Sequence, residues 1–301
     1  NFKKGHGHLL LNVESKYRAM SQLSNQFPIE RMSKLFGVSK SGYYRFLRKG
    51  QGKRAQEREF LLREIVKVFY DHKKRYGIPR VYQELKAMGI QCSENRVAKI
   101  MRSKKLVARR SKKWKGKKLP SKEKKPNVLQ RDFSAESPND KWVSDITYVQ
   151  TTKGWVYLCA IIDLFSRKVV GHSVEGHMKK ELVIKDLKQA VRRRKTKGRR
   201  VMFHSDQGVQ YGSKELNEYI EKLGFIGSMS GKGSCFDNAA MESFFSSYKR
   251  ECVHNQIYES LEIAQKETFK YIECYYNNKR RHSTLGYLSP MGFEKKYETV
   301  K

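Results

Sequence analysis

Acidic residues are scarce in this chain: 30 Asp and Glu stand against 64 Lys and Arg, a formal net charge of +34 over 301 residues. Solubility alone does not need so one-sided a surface, so the shortage points to a polyanion, nucleic acid ahead of a membrane surface. Clustered cysteine is lacking too. Cys92, Cys159, Cys235, Cys252 and Cys274 are odd in number and widely spaced. That excludes a disulfide framework and a zinc knuckle and fits a reducing, cytoplasmic setting. Long apolar runs are missing: the longest, WVYLCAII at 155–162, has eight residues, far short of a membrane span. The start, NFKKGHGHLLLNVESKYR, has no apolar core or cleavage site for secretion, and its lack of an initiator Met suggests either a fragment or a product of a longer reading frame. In GSMSGKGS, at 227–234, Ile226 stands where GxxxxGK needs its first Gly, which excludes an ATP-binding phosphate loop.

Length suggests about two domains. In residues 1–52, IERMSKLFGVSKSGYYRFL reads as helix, Gly37 turn, Ser39 cap and second helix, the grammar of a helix-turn-helix. Lys40, Tyr43, Tyr44 and Arg45 would then face a DNA groove; an ordinary helical hairpin is the plainer alternative. Residues 53–108 form a second helical module. Its long helix, 54–73, turns Phe60, Leu61, Ile65, Val68 and Phe69 inward. Two shorter helices follow, with Pro79 in a first turn and Ser93 as N-cap, and offer Arg80, Asn95, Arg96 and Lys99 to DNA. A basic linker, 109–137, comes next. The stretch 101–125 holds thirteen Lys or Arg and one acid, Glu123, so Arg109, Arg110, Lys112 and Lys113 are expected to track phosphates, with steep salt dependence.

The grammar changes at 138. KWVSDITYV, WVYLCAIIDLF and VVGHSV read as three antiparallel strands joined by short turns. A helix at 178–194, the strand VMFHS, a helix at 213–223 and the strand FIGSM follow. Asp237 and Asn238 are then expected to cap a helix running to about 250. The order βββαβαβα predicts an α/β fold, a mixed five-stranded sheet with flanking helices, over 138–255. A last helix, 260–276, and a basic tail, NNKRRHSTLGYLSP, complete the segment 256–301. Lys279, Arg280, Arg281 and His282 in that tail are expected to meet phosphates, while Tyr275 and Tyr276 are either core or base-stacking residues.

Three of the scarce acids stand in unusual places. Asp145 lies inside the first strand, on the face of Val143, Thr147 and Val149, where a lone charge is costly unless something meets it. Asp206 follows a strand end in HSDQG, and Glu242 sits in the first turns of its helix, within GSCFDNAAMESFFSSYKRE. Each has a bland reading as a turn former or a surface charge. Together they form an all-oxygen donor set for Mg²⁺ or Mn²⁺. Two such ions, about 3.5–4 Å apart, can activate an attacking oxygen and stabilise a leaving one. Without metal, three crowded carboxylates would repel one another.

WVSDITYV, DLFSRKVVG, HSDQGVQY, GSCFDNAAMESFFSSYKRE and YYNNKRRHSTLGYLSP, with thirty-five residues between Asp206 and Glu242, resemble the IS3 family of bacterial insertion-sequence transposases. These are DDE enzymes of the retroviral-integrase-like superfamily. The resemblance runs over nearly the whole chain and implies an RNase H-like catalytic core behind helix-turn-helix-type modules. It implies that Asp145, Asp206 and Glu242 hold two divalent ions, with His204, Gln207 and Asn238 in support. It also implies hydrolytic nicking at terminal inverted repeats of double-stranded DNA, then joining by the freed 3′-hydroxyl through a circular form. No nucleotide triphosphate is used, and at least a homodimer handles the two ends. Cys235-Phe236 and Met241 depart mildly from the family pattern without removing a ligand.

Around these acids, His204 is either a phosphate-orienting group or a structural hydrogen bond. Asp163 reads as a strand-end turn residue before a fourth metal-site acid. Glu251 falls on another helix face from Glu242, and Lys249 and Arg250 are placed for DNA. Two rivals keep the same charge: a non-catalytic DNA-binding regulator, and an RNase H-like nuclease that cuts without joining.

Overall fold

A computed structural model describes residues 12–48, 53–109, 125–196, 198–231, 235–253 and 256–300. The chain divides into two compact units, Asn1–Val68 and Phe69–Lys301.

In the smaller unit α1 (Val13–Leu23) starts at Asn12, whose Oδ1 accepts the Ser15 amide at 2.8 Å. Gly37, with φ +64°, ends α2 (Ile29–Phe36) in the left-handed conformation that glycine adopts without steric cost. Ser39 Oγ then accepts the Gly42 amide at 3.0 Å as α3 (Lys40–Arg48) begins. Met20, Met32 and Tyr43 form the shared core. The expected helix, Gly turn, cap and second helix are all present. Tyr43, read as a groove contact, is instead a core residue. On α4 (Lys53–Asp71), Leu61, Ile65, Val68 and Phe69 are buried, but Phe60, expected inward, is exposed.

The larger unit opens with α5 (Ile78–Ala87) and α6 (Glu94–Ser103), the latter N-capped by Ser93. The sheet follows: β1 (Lys141–Thr151), β2 (Gly154–Asp163), β3 (Val169–Glu175), β4 (Met202–Ser205) and β5 (Ile226–Met229). Strand order is β3-β2-β1-β4-β5. β1, β2 and β3 pair antiparallel; β4 joins β1, and β5 joins β4, in parallel. This is the mixed five-stranded sheet of an RNase H-like core.

Helices α7 (Lys180–Arg194) and α8 (Lys214–Lys222) cover one face, where Trp142, Ile161, Leu182, Leu187, Phe203 and Leu216 share a core. The approach is close at Gly171 of β3: a Cβ there would lie 2.7 Å from the Asp186 carbonyl oxygen of α7. Backbone cannot yield as a side-chain tip can, so Gly171→Ala should destabilise the fold by about 1–3 kcal/mol. A urea melt measures this directly.

The C-terminal part comprises α9 (Ala239–Tyr248), α10 (Leu261–Phe269) and α11 (Pro290–Val300). Both α9 and α10 run on into π-helical turns, Lys249–Val253 and Lys270–Tyr276. The expected basic tail is folded. Asn277 mimics a paired strand, its Oδ1 accepting the Val169 amide and its Nδ2 donating to the Val169 carbonyl, each at 2.9 Å. Glu294 of α11 bonds Ser166, Lys168 and Arg194. Tyr275 and Tyr276 are buried, which settles them as core. No helix among the described residues is long and apolar enough to cross a membrane.

Candidate active site

Side chains alternate across a strand. Trp142 and Ile146 of β1 enter the core beneath α7 and α8, so Asp145 points to the opposite face, where α9 packs on β1. Asp145 is 5 % exposed, and its Oδ1 accepts the Ile146 amide at 2.7 Å. In the parallel β1–β4 register Ser144 is partnered with Ser205. Asp145 is the next residue along β1 and Asp206 the first residue beyond β4, so each follows one member of that last pair. Asp206 Oδ1 accepts the Gly208 amide at 3.0 Å, which fixes the turn beyond β4.

Tyr211, in the same loop, braces the junction. Its hydroxyl hydrogen-bonds Ser144 Oγ at 2.8 Å. Burial first, then the Cys159 thiol and the Asp145 and Asp206 carboxylates, push the phenol well above its ordinary pKa. Ser144 and Tyr211 lie in the motifs WVSDITYV and HSDQGVQY, but nothing in the sequence pairs them across a separation of sixty-seven residues.

Glu242 is exposed on the first turn of α9. Buried Met241, Phe244, Phe245 and Tyr248 anchor the helix. The expected cap is corrected here. Asn238 occupies the N-cap position, but its side chain makes no cap bond; its Nδ2 donates to the Ser144 carbonyl at 3.2 Å. Asp237 accepts from Arg131, Asn127 and the Gly231 amide. Both side chains tie the start of α9 to neighbouring elements, and Asn238 ties it to the strand residue beside Asp145.

Among the described residues no group of three His, Cys, Asp or Glu is close enough to hold a metal ion. Asp145, Asp206 and Glu242 are thus not gathered into one cluster, although Asp145 and Asp206 each follow a residue of the same β1–β4 pair. Uncompensated carboxylates repel one another, so a spread arrangement is the expected one for the bare protein. The donor chemistry fits a hard divalent cation. Two buried amide oxygens near these acids have no hydrogen-bond partner among the described residues, Gln207 Oε1 beside Asp206 and Asn238 Oδ1 on the residue that grips β1.

His204 is fully buried between Ser228 Oγ (2.9 Å) and Ser230 Oγ (3.2 Å), and burial pushes its pKa down to about 4. A neutral imidazole bridging β4 and the β5 end is the structural alternative. Gln207 Nε2 donates to the Ser230 carbonyl at 2.8 Å. Asp163 takes its strand-end role, accepting from the Asn139 and Phe165 amides and pairing with Arg194 at 2.9 Å.

Residues 135–235 and 242–297 match the Integrase core domain family, and 55–114 match the HTH-like domain family. Transposase InsF for insertion sequence IS3A of Escherichia coli K12 is 40 % identical over 288 residues, covering 93 % of this chain and 99 % of its own. The chain belongs to the IS3-family transposases. The transposase for insertion sequence element IS904 of Lactococcus lactis is also 40 % identical, over 81 % of this chain and 96 % of its own. Among solved structures, the HTLV-2 integrase catalytic core domain in complex with magnesium aligns at 19 % identity and TM-score 0.38, covering 54 % of this transposase and 99 % of that chain. The Mos1 mariner transposase catalytic domain aligns at 13 % identity and TM-score 0.41, covering 54 % and 77 %.

Among the described residues the candidate DNA contacts of this transposase fall into three groups. Arg45, Lys99 and Lys279 are exposed, and Lys40 is half-exposed beside Glu30 at 3.1 Å. Arg96 is half-buried, its amide used in the α6 cap, and Lys249 Nζ lies 4.7 Å over the Tyr148 ring. Other cations hold the fold together. Arg280, 2 % exposed, grips the buried Glu251 carboxylate at 2.8 Å rather than lying on open surface. Arg250 approaches that carboxylate at 3.5 Å and Arg80 at 3.8 Å, while Arg109 donates to the Glu251 carbonyl at 3.0 Å. Arg281 pairs with Glu84 and donates to the Tyr287 carbonyl. His282 is kept neutral, burial first and then Arg280, Arg80 and Arg167 driving its pKa down to about 2. Arg110, Lys112 and Lys113 lie outside the described residues.

Proposed function

We propose that Asp145, Asp206 and Glu242 are the catalytic carboxylates of a metal-dependent cut-and-join reaction at the terminal inverted repeats of the element. In this reading Asp145 supplies its carboxylate from β1, Asp206 from the turn after β4 and Glu242 from α9. The observation that supports this reading is the β1–β4 register, in which Ser144 partners Ser205, the residues just before Asp145 and Asp206. When bound, Mg²⁺ or Mn²⁺, two per site, supplies activation of the attacking oxygen and charge stabilisation at phosphorus. The chain's own contribution is placement: the Asp206–Gly208 turn, the Tyr211–Ser144 brace and the Asn238 tie hold the carboxylate-bearing backbone rigid.

The substrate is double-stranded DNA. A water cuts one strand, and the freed 3′-hydroxyl attacks a second phosphodiester, giving a joined, circular product without ATP. Because two ends are brought together, the working form is at least a dimer. A labelled terminal-repeat duplex incubated with Mg²⁺ tests the reading. A joined product is expected from the wild type. A nick without joining would make the protein a nuclease, and binding without cutting a regulator.

A further inference from the structure

Three guanidinium groups converge on one cavity of the larger unit. Arg80 of α5, Arg167 of the β2–β3 turn and Arg280 beyond α10 line a space of about 300 Å³, together with Ser243 of α9 and Tyr276. Among the described residues no carboxylate lines it. Glu251 neutralises one cation, Arg280, at close range, while Arg80 stands 3.8 Å from the same carboxylate. The other buried carboxylate felt here, Asp163, is already paired with Arg194, so these three arginines carry more positive charge than the acids near them offset. His282, also on the wall, is held neutral there and accepts from Arg280 Nη1 at 3.2 Å.

Arg167 is the informative member. It makes no close hydrogen bond or ion pair among the described residues; burial lowers its pKa, against the more distant attraction of Tyr276 and of the buried Asp163, which is itself paired with Arg194. Its backbone has φ +59°, a conformation L side chains rarely adopt. A turn that needed only that backbone would be better served by Gly or Asn. A half-buried guanidinium with no close partner, on a cavity wall it shares with two further arginines, suits a ligand that binds there. The ligand must be anionic, rich in oxygen acceptors and suited to several guanidinium forks, which describes a phosphate.

We propose that this cavity seats one backbone phosphate of the DNA strand being processed, on the flank of α9 that begins at Ser243, the residue after Glu242. The proposal rests on the transposase reading above. It converts Arg80, Arg280 and His282, read from sequence as separate DNA contacts, into parts of one seat, and adds Arg167, which the motif DLFSRKVVG contains but does not explain.

The test is DNA binding in EDTA, where no cutting occurs, using a fluorescent duplex of the element's own terminal repeat over a range of salt. Each lost phosphate contact lowers the slope of log affinity against log salt by about 0.9. Arg167→Gln should lose that amount, Arg167→Lys should keep the wild-type slope, and both should melt as the wild type does. Equal slopes for wild type and Arg167→Gln overturn the proposal. So does thermal stabilisation by inorganic phosphate that Arg167→Gln abolishes while the DNA slope is unchanged, since the seat would then belong to free phosphate. If cutting fails in the labelled-end assay, this binding result is untouched; unchanged slopes, conversely, leave the cutting result intact.

Discussion

Asp206→Asn is expected to abolish both nicking and joining of a labelled terminal-repeat end, by roughly 10⁴-fold or more, as when one member of a catalytic set acting as a unit is removed. The substitution is nearly isosteric, and Asn Oδ1 can still accept the Gly208 amide that Asp206 Oδ1 accepts at 3.0 Å. Loop geometry is therefore preserved while one negative charge is lost. Stability should move the other way. Asp145 and Asp206 each follow a member of the Ser144–Ser205 register pair, and like charges held in one region oppose each other. In EDTA the variant should melt no lower than the wild type. Added Mg²⁺ should raise the wild-type melting temperature and leave the variant's almost unmoved, because a ligand stabilises only in proportion to its binding of the native state. Retention of Mg²⁺-dependent cutting by Asp206→Asn would remove this carboxylate from the chemistry.

Why the aspartate pair was legible, and much around it was not, follows from the range of each signal. The strands of β1 and β4 are visible as short apolar runs, and an Asp inside one and just after the other is conspicuous against a background poor in acid. Fold class is local pattern repeated: alternation for strands, amphipathic spacing for helices, Gly and Ser at their ends. The basic tail was misread because charge is a local property and burial is not. Arg280 sits in KRRH, which looks like a solvated run, yet its partner Glu251 is twenty-nine residues away. Only the packing of α9 and α10 brings them together. Asn238 failed as a cap for a similar reason: a carbonyl of β1, ninety-four residues distant, took the side chain that local grammar assigned to the helix. Arg167 offered no signal except its oddity in a turn.

Glu251→Gln is expected to cost about 3–5 kcal/mol, since removing one partner leaves the other charge buried and uncompensated. For a unit of this size that lowers the melting temperature by roughly 6–20 °C. Glu251 is 1 % exposed, bonded by Arg280 through both carboxylate oxygens and by the Tyr271 hydroxyl at 3.0 Å. Gln retains the main-chain carbonyl that Arg75 and Arg109 use, so the loss isolates the charge. A double variant, Glu251→Leu with Arg280→Met, should recover most of the stability, because replacing both ions by apolar groups avoids the stranded charge. Acid should reveal the same pair. Burial alone would raise the Glu251 pKa, but Arg280 and then Arg80 and Arg250 outweigh it and hold it below 4.5, its ordinary value. A carboxyl depressed in the folded state binds fewer protons there than in the unfolded chain, so its contribution is complete above the ordinary pKa and fades as pH falls through the folded one. The gap in melting temperature between wild type and Glu251→Gln should thus be constant near neutrality and close as the solution is acidified below 4.5. A gap that widens in acid would mean that the buried carboxyl is protonated in the native protein, and that Arg280 is balanced by something else.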